Sequence, residues 1–434
     1  MKKIKKALIS VSNKNNLDFL IKNLVRHKIQ IISSGGTFKE IKKLGFKCLE
    51  ISNYTGFPEV LDGRVKTLHP KIYSGILSNR KKKSHLMDLK KNNFEEIDLV
   101  IVNFYPFEKT IKKINYQKKI IENIDIGGPA MARAAAKNYN DVTVITKVEQ
   151  YNKLINELKK NRGSTSLNFR NKMSEEAFNE TAYYDAVIAN YFNKQTKNFF
   201  PEKKIIFGKL FEKLRYGENP HQDGAIYSLE NNINMKQLNG KQLSYNNYND
   251  IFSALLLSKS LPKNTGTAII KHANPSGVSI NKDKIKSYKL ALACDPISAY
   301  GGIVSCNFKI SKKLAIELNN IFLEAVIGNG IDNDALKILK KRKNLRVIDA
   351  KDIKLENIQN INSNFNSILV QSPDNNFFSL KNFRIVSKKK PSFKLLKNMI
   401  FAFNVCRNVK SNGIVVKLLS IKWKNFKTLK IIAK

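Results

Sequence analysis

The first 150 residues switch repeatedly between two hydrophobic periods, and few folds accept that pattern. Residues 7–11, 29–32, 48–51, 99–104 and 142–145 form short apolar runs of strand length. Between the first two runs, Leu17, Leu20, Ile21, Leu24 and Val25 recur at helical spacing, and residues 38–44 repeat that spacing after the second. Unbroken apolar runs are strands buried on both faces. Alternating with helices, they predict a doubly wound, mostly parallel α/β sheet. Ligands of such sheets gather outside the carboxyl ends of the strands. Residues 10–14, 33–37 and 103–105 all fall at strand ends, so one site can collect all three.

The 434 residues exceed what one core supports, so two or three domains are expected. Helical spacing over 151–160 and 168–192 predicts a helical stretch, and Pro201 opens a second, mixed α/β region. No run approaches 18 apolar residues, so no membrane span is expected. The short apolar run after the basic residues Lys2 to Lys6 reads as a strand and not as a signal peptide. Four scattered cysteines suit a reducing cytoplasm, with neither a disulfide frame nor zinc spacing. The net charge of +42 invites a nucleic-acid reading. Arginine, however, supplies only about a dozen of the 77 basic residues. Base reading leans on arginine's planar fork. The lysine excess therefore reads as solvated surface that steers anionic substrates.

The strand-end segments carry the chemistry. In Ser33-Ser34-Gly35-Gly36-Thr37, two glycines let the backbone approach an anion, and hydroxyls with N–H groups ahead of a helix bind phosphate oxygens. Asp62-Gly63-Arg64-Val65-Lys66-Thr67 adds fixed positive charge beside that cradle. Ile124-Asp125-Ile126-Gly127-Gly128-Pro129 fits a turn into a helix. Lys137 follows two turns beyond Ala130, where it can come back over the site. The second half holds Lys213-Leu214-Arg215-Tyr216-Gly217-Glu218-Asn219-Pro220-His221-Gln222, then Lys271-His272-Ala273-Asn274-Pro275, then Ser298-Ala299-Tyr300-Gly301-Gly302. A Lys-His pair at a strand end followed by Asn-Pro reads as a rigid turn bearing a cation and a base.

Taken in order, these blocks resemble the bifunctional AICAR transformylase/IMP cyclohydrolase family of purine synthesis, over nearly the whole chain to about residue 416. The resemblance implies a methylglyoxal-synthase-like first half at 1–148 that closes the purine ring. It implies a helical connector at 149–200 and a cytidine-deaminase-like α/β transformylase region at 201–434, incomplete at its C-terminus. The second half would pass a formyl group from 10-formyltetrahydrofolate to AICAR. The H-x-E…P-C-x-x-C zinc pattern is absent, so no metal is expected. A homodimer binding ribotides and folate is implied, with no specific nucleic acid and no membrane.

The resemblance also distributes roles. Ser12, Asn13, Lys14, Ser34, Gly35, Gly36 and Thr37 would hold the ribotide phosphate and ribose. Arg64, Lys66 and Thr67 would line the base. Asn103, Tyr105, Asp125 and Ile126 would complete the pocket, with Lys137 as acid/base residue. Arg215 and Tyr216 would bind AICAR, His272 would accept the amine proton, and Lys271 would stabilise the transition state. Gly301, Glu324 and Asn412 align with further contacts. After Val416 the family continues into a glycine-rich segment, whereas this chain carries no glycine after Gly413. The expectation is a retained cyclohydrolase and an impaired transformylase. A lone methylglyoxal-synthase-like phosphometabolite-binding or lyase protein would need neither Lys66, Lys137 nor the second-half blocks. A nucleic-acid-binding protein would interleave arginine with aromatics.

Overall fold

A computed structural model describes residues 3–229, 233–354, 360–374, 376–410 and 413–416. It divides into two units, Met1–Phe207 and Gly208–Lys434.

In the first unit, β1 (Lys6–Val11), β2 (Gln30–Ser33), β3 (Leu49–Glu50), β4 (Leu99–Asn103) and β5 (Thr143–Ile145) form one sheet. Their order is β3-β2-β1-β4-β5, and every pairing is parallel. The chain leaves β1 toward one edge, then crosses back to place β4 on the other side of β1. That reversal opens a crevice at the carboxyl ends of β1 and β4, where open parallel sheets bind ligands. Leu8, Ile9, Ile32, Val100 and Val144 are buried in the sheet, with Leu20, Ile21, Leu24 and Ile41 of the flanking helices packed over it.

Three expectations shift. The second helix runs Gly35–Lys43, so both glycines lie in its first turn and not in a loop before it. The third strand stops at Glu50 because Ile51 opens the short helix Ile51–Thr55. The stretch expected as a connector is part of the first unit. Helices Tyr151–Lys160 and Leu167–Gln195 bury Tyr151, Leu154, Ile155, Leu158 and Met173 in the same core as the sheet. Their apolar faces need that sheet to leave water.

The second unit opens with a ladder of β6 (Lys209–Lys213) and β7 (Ala225–Ser228). Its main sheet contains β8 (Lys236–Asn239), β9 (Gly266–Lys271), β10 (Asn274–Ile280), β11 (Gly302–Cys306), β12 (Leu323–Gly328) and β13 (Arg346–Asp349). The order is β10-β9-β11-β12-β13-β8, with β11-β12-β13 parallel and the other pairs antiparallel. Strand residues alternate between two cores as the two-residue period requires. Ile269, Val304, Val326 and Val347 enter one core, and Ile270, Ile303, Ile327 and Ile348 enter the other.

A fragment ending at residue 148 should therefore fail to fold cooperatively, while one ending at 207 should unfold in a single transition. Five large buried side chains at about 1.5–3 kcal/mol each amount to on the order of 10 kcal/mol, as much as a whole domain's stability. Denaturant titration followed by circular dichroism checks this.

Candidate functional site

The first site is built where β1, β2 and β4 end. Thr37 is buried, and its Oγ1 accepts from Val11 N at 3.0 Å and donates to Val11 O at 3.0 Å. Ser33 Oγ donates to Ile9 O at 2.7 Å. On the other flank, Asn103 Oδ1 accepts from Asn13 N at 2.8 Å, and its Nδ2 donates to Asn13 O at 3.0 Å. Thr37 and Asn103 were expected as substrate contacts. Their side chains also clasp backbone: Thr37 ties the following helix to the end of β1, which has outrun β2, and Asn103 ties the Asn13 loop to β4.

Between the clasps lies an anion cradle. Gly35 has a φ of +50°, which a residue with a Cβ adopts only under strain. A Cβ there would stand 3.2 Å from Lys66 Nζ, and one on Gly36 would stand 3.6 Å from Lys14 Nζ. Two ammonium groups thus flank the start of the Gly35–Lys43 helix, whose own dipole favours negative charge. Ser34 Oγ is buried there and has no hydrogen-bond partner among the described residues. It makes no cap bond to the helix. A buried, unused hydroxyl between two lysines suits a phosphate oxygen.

Asp125 stands at the opening of the Gly127–Lys137 helix. Its Oδ1 accepts from Gly128 N at 2.8 Å and its Oδ2 from Tyr105 N at 3.3 Å. Burial pushes its carboxyl above the ordinary range, outweighing the pull of those two N–H groups and of the Lys66 charge. Lys66 therefore faces the cradle on one side and acts on Asp125 on the other. Its Nζ lies 3.7 Å from Glu59 Oε1. Thr67 is buried beneath the helix start, and a Cβ on Gly127 would come within 2.6 Å of its Oγ1.

Sequence reasoning missed Tyr184. Its hydroxyl accepts from Asp125 N at 2.8 Å, and its ring meets Phe104 edge-on at 5.3 Å. The two residues are 59 apart in the chain, and no local pattern links them. Ser12, Asn13, Tyr105 and Ile126 line the loops around this cluster, with Tyr105 and Ile126 exposed. Two further expected members, Arg64 and Lys137, have exposed side chains. Arg64 is paired with Glu122. Lys137 is the last residue of the Gly127–Lys137 helix, which Asp125 opens.

The second unit gathers another group. β9 and β10 meet at His272-Ala273, so the turn precedes Asn274-Pro275, which were expected to form it and instead begin β10. Lys271 Nζ donates to Tyr300 O at 2.9 Å, beside Gly301, whose φ is +72°. Glu324 Oε2 accepts from Asn247 Nδ2 at 2.7 Å and lies 3.5 Å from Arg346 Nη1. Burial lowers the Arg346 pKa, with Glu324 opposing and nearby Arg215 assisting. Arg215 lies 5.8 Å over the Tyr216 ring. Asn247 and Arg346 were not foreseen. Asn412 lies outside the described residues.

The AICARFT/IMPCHase bienzyme family matches residues 135–420, and the MGS-like domain matches residues 16–130. The bifunctional purine biosynthesis protein PurH of Bradyrhizobium diazoefficiens is 41% identical over 422 residues, covering 95% of this chain and 80% of that protein. The Acetivibrio thermocellus PurH is 42% identical over 424 residues, covering 95% and 82%, and that of Prochlorococcus marinus 43% over 425, covering 94% and 81%. This chain belongs to the AICARFT/IMPCHase bienzyme family. It is an enzyme of de novo purine biosynthesis with AICAR formyltransferase and IMP cyclohydrolase activities. The lyase and nucleic-acid readings are not favoured. The crystal structure of ForH is matched along its full length by 44% of this chain, at 30% identity and a TM-score of 0.39. The family supports both activities, while the expected impairment of formyl transfer rests on residues 417–434, which lie outside the described residues. Among the described residues, no group of three or more His, Cys, Asp or Glu could hold a metal, and no helix is long and apolar enough to cross a membrane.

Thr37→Val should destabilise the first unit by about 1–3 kcal/mol, the cost of leaving buried backbone groups unpaired. Thr37→Ser should recover most of it. Urea unfolding of the three proteins checks both.

Proposed function

We propose that the first unit closes the purine ring of IMP with Lys66 and Asp125, and that the second transfers the formyl group with Lys271 and His272. The observation that carries the first half is the position of Lys66, between the Gly35 cradle and the Asp125 carboxyl. Ser34, Gly35, Gly36 and Lys14 grip the ribotide phosphate, and Ser12 and Asn13 face the ribose. Thr67, Tyr105 and Ile126 border the base. The carboxamide nitrogen attacks the formyl carbon and gives up a proton, and the formyl oxygen later departs as water. Asp125, with its raised affinity for protons, takes the first proton. The Lys66 ammonium stabilises the oxyanion, which takes the proton held by Asp125 to become a hydroxyl; Lys66 protonates that hydroxyl as it leaves, and the former formamide N–H gives its proton back to Lys66 as the C=N bond forms.

In the second unit, Arg215 and Tyr216 hold AICAR, with Glu324 and Gly301 as further contacts. The AICAR amine attacks the formyl carbon of 10-formyltetrahydrofolate, which serves as co-substrate. His272 accepts the amine proton, and Lys271 steadies the developing oxyanion. No metal enters either reaction in this reading. The protein works as a homodimer in the cytoplasm, the compartment that its four free, scattered cysteines suit.

Single substitutions should separate the two activities. Lys66→Ala should lower ring closure at least about 100-fold and leave formyl transfer intact. Arg215→Ala should do the reverse. Spectroscopic turnover of formyl-AICAR to IMP, run beside a formyl-transfer assay, checks both. Equal loss in both assays would sink the assignment.

The pH profile tests Asp125. Acting as a base, it must be ionised, so ring closure should fall on acidification. The inflection should lie above about pH 4, the ordinary aspartate value, because burial raises its pKa. Asp125→Asn should abolish that limb and cost about 10²–10⁴ in rate.

A further inference from the structure

We propose that Asp250 is a positioning residue for formyl transfer, holding the His272-Ala273 turn in a backbone conformation that these two residues disfavour by themselves. The inference rests on the reading that Lys271 and His272 carry the transfer chemistry. β9 ends at Lys271 and β10 begins at Asn274, so only two residues make the connection. Both have positive φ, 55° at His272 and 56° at Ala273. That is the signature of a type I′ hairpin turn, which matches the twist of the flanking strands and calls for residues such as Asn-Gly or Asp-Gly. Alanine has no side chain to stabilise the left-handed region and, unlike glycine, has a Cβ that resists it. A sequence with His-Ala at these positions needs an external clamp.

Asp250 supplies one. It lies on the helix Tyr245–Ser260, and its Oδ1 accepts from Ala273 N at 2.7 Å while its Oδ2 accepts from His272 N at 3.3 Å. Both N–H groups point out of the ladder, because a type I′ turn leaves them without strand partners. A carboxylate satisfies the pair with charge-assisted bonds. On the far side of the turn, Asn274 Nδ2 donates to His272 O at 3.2 Å. Asn247 lies three residues before Asp250, so both project from one side of the helix. Asn247 holds Glu324. One helix thus fixes a carboxylate of the AICAR group and the turn that presents His272. Lys271 is tied separately, by its strand pairing and by the Tyr300 carbonyl. Loss of Asp250 therefore frees His272 and spares Lys271 and the Arg215 group.

The test uses the full chain, with ring closure as the internal control, and compares Asp250→Ala, Asp250→Asn, His272→Ala and the double variant Asp250→Ala/Ala273→Gly. Asp250→Ala should lower kcat for formyl transfer about 10- to 100-fold, the effect of displacing a reacting group by about an ångström. The KM for AICAR should change less than about threefold. Asp250→Asn keeps one acceptor and should fall between. The double variant should recover about tenfold, since glycine takes positive φ freely. A packing role would give equal losses in single and double variants and would overturn the proposal. Hydrogen exchange at His272 and Ala273 N–H reads the clamp independently of turnover, and about tenfold faster exchange is expected in Asp250→Ala. Unchanged exchange overturns the proposal whatever the rates. If His272→Ala retains full formyl transfer, the underlying reading fails. If His272→Ala is inactive while Asp250→Ala is unaffected, only the positioning role fails.

Discussion

One buried hydroxyl sets the geometry of the first site. Thr37 Oγ1 bonds both to the N–H and to the carbonyl of Val11, the last residue of β1 and two beyond its final pairing with β2. Because Thr37 lies in the first turns of the Gly35–Lys43 helix, this clasp fixes where that helix begins. The start of the helix fixes where Gly35 and Gly36 turn toward Lys66 and Lys14. Asn103 makes a matching clasp from β4 to Asn13. Rigid elements hold the loops, and the residues left over for a ligand are those the clasps do not consume: Ser34, the glycines and the lysines.

The second unit solves a similar problem with a helix. Its sheet is buried on both faces, so reactive groups can stand only at strand ends and connections. The Tyr245–Ser260 helix reaches two of these at once, through Asn247 to Glu324 on β12 and through Asp250 to the β9–β10 turn. A helix face can unite distant sequence blocks in this way because residues three apart point the same way.

The sheet of the first unit was legible because buried parallel strands and amphipathic helices have different periods. The cradle was legible because glycine, hydroxyl and lysine side chains are chemically distinctive and fall at strand ends. Other features depend on contacts between residues far apart in sequence. Tyr184 reaches Asp125 across 59 positions, and Asn247 reaches Glu324 across 77. Nothing local marks Arg64 as the partner of Glu122, since an exposed guanidinium takes whichever carboxylate stands nearest. The helices after residue 150 looked like a linker because amphipathic spacing shows that a face is buried without showing against what.

The buried carboxyl of Asp125 has an evolutionary side. A group whose proton affinity rises on folding favours the native state only in acid, below its unfolded pKa of about 4. That contribution fades as the medium approaches neutrality and passes the native value. Wherever the pH lies above that native value, the enzyme keeps an anion where water is scarce, against the preference of the fold. Heat-resistance screens that ignore turnover would tend to erase this residue, since an uncharged replacement carries no such desolvation penalty. Only selection for purine supply would retain it.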